Sequence, residues 1–174
     1  MKKTYRNTVV LCLAVLIASV VLAESIPETT AESLDGHHVS LPADFSGKPA
    51  ILVVGFSRAG GDQCGPFARR LSKEASVQNG STKIYQIAML ASAPRFVRPM
   101  ILHGMRSGVP KAEQSTFLPL TKNEKEWKQA AGYDRAAEND AYLLLVDSRG
   151  TVRWTGHGHF SDAVYAEFRP HLFP

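Results

Sequence analysis

The sequence predicts an α/β domain built on a central mixed β-sheet with helices on its faces. Three observations carry this. Ala50 to Ser57 is a continuous apolar run containing β-branched residues, as in a strand covered on both faces. A helix-like stretch from Pro66 to Gln78 leads to Lys83–Leu90, a second strand, and sequential strands joined by a helix pair in parallel. Ala141–Val146, the turn Asp147-Ser148-Arg149-Gly150 and Thr151–Thr155 then read as a β-hairpin.

Residues 1–23 have the form of a secretory signal: Lys2, Lys3 and Arg6 precede an apolar core from Val9 to Leu22, and Val21-Leu22-Ala23 offers a cleavage site before Glu24. The core is shorter than the ~20 apolar residues that span a bilayer, which favours cleavage over an uncleaved N-terminal anchor. The formal net charge of +4 rests on 20 Lys and Arg against 16 Asp and Glu. Three of those cations lie in the signal, so the mature domain is near neutral and carries no nucleic-acid signature. An exported, periplasmic domain with one remaining cysteine relies on its core rather than on an internal disulfide.

Polar residues Glu24 to Ala31, with Pro27, read as a flexible lead, and residues 32–174 as one domain. Asp35-Gly36 signals a tight hairpin whose second strand is His37–Leu41. Asp62 reads as the N-cap of the helix that carries Cys64, Phe67, Leu71 and Ala75. Arg95–Met105 reads as a helix ended by Gly108-Val109-Pro110, and Asn123 with Glu126 as a capping box. Ser161 reads as the cap of a final helix reaching Leu172. This order, βαβ followed by αββα behind an extra N-terminal hairpin, is a thioredoxin-like layout.

Cys64 follows the first core strand, where a dithiol exchanger carries C-x-x-C. Phe67 occupies the resolving position, and the other cysteine, Cys12, lies in the signal. The loop before Cys64 is longer than in thioredoxin, and Gly61 stands where a peroxidatic cysteine would want Thr or Ser. Glu138-Asn139-Asp140-Ala141-Tyr142 fills the place of the fold's cis-proline without a proline. Dithiol exchange is therefore not expected. A helix N-terminus would lower the pKa of Cys64 and make it a single nucleophile. The topology returns His157-Gly158-His159 to the same sheet edge, so Cys64, His157 and His159 form a candidate Cys–His pair or a candidate metal-ligand set. No cofactor is implied. Trp127 and Trp154 read as packing residues. Arg95, Phe96, Arg98, Met105 and Arg106 mix arginine with apolar groups and form a candidate partner-binding surface.

Residues 45–160 resemble the assembly-factor family of the mitochondrial ATP synthase membrane sector, a thioredoxin-like family. The resemblance rests on Pro66-Phe67, Ala93-Pro94-Arg95-Phe96-Val97-Arg98, Gly108-Val109-Pro110 and Ala141–Asp147 with Gly150-Thr151-Val152-Arg153-Trp154. It implies a chaperone or assembly role with a protein client, such as subunits of a membrane complex, working near a membrane. The alternatives left by the residues are a monothiol redox protein using Cys64 and a metal carrier using Cys64 with His157 and His159.

Overall fold

A computed structural model describes residues 24–172; the expected secretory signal lies outside them. A five-stranded sheet has the order β5-β4-β3-β6-β7. It comprises β3 (Ala50–Gly55), β4 (Lys83–Met89), β5 (Phe117–Leu120), β6 (Ala141–Val146) and β7 (Val152–Gly158). β3 is central. It pairs in parallel with β4, Ala50 opposite Lys83, and antiparallel with β6, Ala50 opposite Val146. Every residue of β3 and β6 is buried, which explains their unbroken apolar sequences. Both halves of the expected layout are present.

β5 is an addition to the expected strands. It pairs in parallel with β4 at the sheet edge, where Pro119 is tolerated. A separate hairpin of β1 (Thr29–Glu32) and β2 (His38–Leu41) carries the Asp35-Gly36 turn, with Gly36 at φ 92°.

The two faces of the sheet bury different groups. On one face Ile51, Val53, Leu143 and Leu145 meet Cys64, Phe67 and Leu71 of α1 (Arg58–Leu71) and Tyr165 and Phe168 of α5 (Asp162–Phe168). On the other, Leu52, Val54, Ile87 and Leu144 meet β2, Phe45 and Trp127 of α4 (Glu124–Ala130). Trp127 is fully buried and its indole donates to Thr29 Oγ1 at 3.2 Å; Trp154 packs edge-on against Phe168. Ser161 caps α5 as expected, accepting from Val164 N.

Three local expectations are corrected. The helix carrying Cys64 runs from Arg58 to Leu71 with Ser57, not Asp62, as its N-cap, Ser57 Oγ accepting from Gly60 N at 3.0 Å, and Ala75 belongs to a separate short helix, α2 (Ala75–Gln78). Asn123 adopts a left-handed conformation and its side chain does not cap α4. The segment read as a flexible lead is fastened to the domain. Ile26 is 5 % exposed, its N–H donates to Gly150 O at 2.9 Å, and Val152 N–H donates to Glu24 O at 2.7 Å.

Candidate functional site

The C-terminal end of β3, the start of β6 and the end of β7 meet at one pole of the sheet, where the sequence places Cys64, His157 and His159. Because α1 begins six residues before Cys64 rather than beside it, the thiol sits in the second turn, facing the core. Cys64 is 3 % exposed, packs with Ile51, Val53, Phe67 and Leu143, and donates its S–H to Gly60 O at 3.3 Å. Burial pushes the thiol up to about 12, and the charge of Asp62 adds to the rise. The expected effect was the reverse. A thiolate needs the exposed amides of a first turn, and here Ser57 and Gly60 hold that position.

The two histidines converge on Asp140 and not on sulfur. His157 Nδ1 lies 2.7 Å from Asp140 Oδ2, and His159 Nε2 lies 3.2 Å from Asp140 Oδ1. His157 is hydrogen-bonded to the carboxylate, and His159 stands beside it at ion-pair distance. Tyr142 fixes the loop that presents Asp140: its hydroxyl accepts from Asp134 N at 3.1 Å and faces Asp134 O and Ala137 O at 3.0 and 3.2 Å. The ring of His157 packs on Tyr142 with centroids 5.1 Å apart. On the neighbouring side Ser57 Oγ donates to Asn139 Oδ1 at 3.1 Å. Among the described residues no three His, Cys, Asp or Glu side chains are arranged to hold a metal. The ligand set of Cys64, His157 and His159 is therefore not assembled, and neither is a thiol–imidazole pair, since each partner is bonded elsewhere.

Asp140, Asn139 and Ser57 were not singled out from sequence. Asp140 had one available signal: it stands immediately before β6, in the place of the fold's cis-proline, and faces the end of the neighbouring strand β7.

The candidate partner surface is divided by the structure. Arg98 holds its own loop, Nε and Nη2 donating to Ala93 O and Ala91 O at 2.9 Å each. Arg106 donates to Leu34 O at 2.9 Å and approaches Glu32 at 3.7 Å. These two arginines are tethers. Met105 is half-buried against Leu34, Ala88 and Phe117. Arg95 is exposed, Phe96 is 84 % exposed and Met100 is 71 % exposed. They flank or begin α3 (Arg98–Gly108), a helix with no fully buried residue. Between α3 and α1 lies a groove of about 820 Å³.

No family model matches the chain, and no curated protein matches it. Solved structures do. The chain is similar to the pneumococcal exposed lipoprotein thioredoxin Etrx1 from Streptococcus pneumoniae, at 13 % identity and TM-score 0.54 over 84 % of this chain and 100 % of that one. It is similar to BsSco, a member of the Sco family of cytochrome c oxidase assembly proteins, at 16 % identity and TM-score 0.55 over 86 % and 94 %. It is also similar to a thiol-disulfide oxidoreductase from Bacteroides fragilis, at 15 % identity and TM-score 0.52 over 85 % and 99 %. The class is thus defined: this is a protein of thioredoxin-like α/β fold. Its particular character is a thiol sealed in the core at the pole where that layout places its dithiol.

Proposed function

We propose that this protein binds other proteins, as a chaperone or assembly factor for a membrane complex, and does not exchange disulfides. The observation that carries the reading is Cys64: the one thiol among the described residues, 3 % exposed, pushed up to about 12, with Phe67 in the resolving position. A thiol so placed is almost wholly protonated at neutral pH and cannot reach a substrate sulfur. The monothiol alternative needs an accessible thiolate, and the metal alternative needs the assembled ligand set.

The resemblance to the assembly-factor family of the ATP synthase membrane sector supports this client class. So does the membership of BsSco, a fold neighbour, in an assembly-protein family. Export with cleavage before Glu24 belongs to the same proposal and is read by N-terminal sequencing of the exported protein. No described helix is long and apolar enough to cross a membrane.

The functional test is complementation of a deletion strain by Cys64→Ala, combined with crosslinking of the same variant in intact cells. The expected result is full complementation and recovery of the same membrane-complex subunits as with wild type. Loss of function by a stably folded Cys64→Ala protein would overturn the reading in favour of thiol chemistry.

A further inference from the structure

Among the described residues two large apolar side chains lie exposed, Phe96 at 84 % and Met100 at 71 %. They belong to one short piece of chain. Phe96 sits in the turn that Val97 N–H closes on Pro94 O at 3.0 Å, and Met100 in the first turn of α3, whose Ile101 N–H donates back to Val97 O at 3.1 Å. The rest of the apolar side of α3 is used inside the fold, Leu102, Met105 and Val109 packing on Leu34, Ala88 and Phe117. Phe96 and Met100 are left out of that packing. The segment that carries them is held in place: Arg98 donates from Nε and Nη2 to Ala93 O and Ala91 O, which pins the loop and leaves the phenyl ring in water. A pair of apolar groups presented on a pinned loop marks a contact surface.

The charges around the pair are mostly of one sign. From Ala75 to Ala112 the chain contains no Asp or Glu. Arg95, next to Phe96, is exposed and makes no ion pair among the described residues. His103, one turn after Met100, is also exposed, and Arg106 follows it, sharing its charge with Glu32 at 3.7 Å. Across the groove that Met100 lines, α1 sets Arg58 and Arg69 against one acid, Asp62, while Glu113 is hydrogen-bonded to Gln86.

We infer that this corner of the molecule rests on an anionic phospholipid surface, with Phe96 and Met100 entering the headgroup layer and Arg95 among the phosphates. Two observations favour lipid over a protein. The first is charge: a cationic rim complements a surface that is negative throughout and needs no matched acids opposite each arginine. The second is size: two side chains suffice for an interfacial anchor, whereas a stable protein interface takes about 800 Å² from each partner. No described helix is long and apolar enough to cross a membrane, so the contact is peripheral and reversible. The inference goes beyond the client reading and does not depend on it.

The test sediments the chain from Glu24 onward with vesicles of phosphatidylcholine, with and without phosphatidylglycerol. The wild type should bind the anionic vesicles at least about tenfold more tightly than the neutral ones and lose most of that advantage in high salt. Phe96→Ser and Met100→Ser should each weaken binding to the anionic vesicles about tenfold, and Arg95→Gln about fivefold, with Tm unchanged because all three side chains are exposed. Cys64 is buried, so a new surface cysteine takes an environment-sensitive fluorophore selectively. On Met100→Cys the fluorophore should shift to the blue with anionic vesicles. On Arg149→Cys, in the turn at the opposite pole of the sheet, it should not. Failure of the wild type to bind anionic vesicles overturns the inference, and so does binding that both serine variants retain in full. An equal shift at the two labelled positions also overturns it. A dimer that forms without lipid and that Phe96→Ser disperses overturns it in favour of a second copy.

Discussion

Cys64 is the residue whose chemistry its surroundings change most. The sulfur is enclosed by aliphatic and aromatic side chains, and the S–H is spent on Gly60 O. The native thiol should therefore resist iodoacetamide at neutral pH and react only after unfolding, as counted by mass spectrometry. The raised pKa also has a consequence for stability. An unfolded cysteine titrates near ~8.5, so its ionisation favours the unfolded chain above that pH, while the folded thiol stays protonated until about 12. The stabilising contribution is complete below the unfolded value and is lost as pH rises toward the folded one. Cys64→Ala should cost about 1 kcal/mol at pH 7 by chemical denaturation. The gap between wild type and variant should close above pH 8.5 and change sign by pH 10, where linkage removes about 2 kcal/mol from the wild type. A gap that is constant over that range would show a thiol less buried than the structure has it.

At the scale of elements, α1 turns on two adjacent glycines with opposite surroundings. A Cβ on Gly60 would lie 2.6 Å from Asp140 O and 3.3 Å from Glu138 O, both backbone atoms. Gly60→Ala should destabilise the protein by about 1–3 kcal/mol and displace the Asp140 loop with its two histidines. Gly61→Ala meets nothing within 4 Å and should stabilise by about 0.5–1 kcal/mol through helix propensity. Thermal melts of the two variants decide this, and equal effects would reject it. The same glycines explain what the sequence concealed. Ala59-Gly60-Gly61 reads as a loop, so Asp62 looked like the first cap. In the fold Gly60 is a contact residue pressed against the β6 approach, and Gly55 lets α1 pass closely over β3. Burial made β3, β4 and β6 legible, since each is covered and correspondingly apolar, and the Asp147–Gly150 turn made β7 legible as the partner of β6. β5 was not legible, because four residues with a central proline carry no strand signal until β4 supplies the partner. Asp140 escaped for a related reason: its role depends on β7 ending beside it.

Across the whole molecule, the N-terminal segment is a strap that reaches both edges of the sheet. At one edge Ser25 bridges Thr151, and Ile26 is buried beside Pro42 and Gly150. Farther along, Thr29 accepts from the Trp127 indole, β1 pairs with β2, and Leu34 N–H donates to Phe117 O at 3.1 Å on β5. Polarity hid this, since one isoleucine among Glu24 to Ala31 gives no periodicity, and its partners lie more than a hundred residues away. A mature chain that starts at Glu24 retains the whole strap, while shorter chains lose it in stages. Ile26→Ala should cost about 2–5 kcal/mol by removing a fully packed side chain. Deleting residues 24–34 should cost more, because it also leaves the buried Trp127 Nε1 without its acceptor and bares the outer edge of β5. We expect that truncation to melt well below the Ile26→Ala protein and to aggregate on warming. A truncated protein with a wild-type melting temperature would show that the strap contributes nothing to the fold.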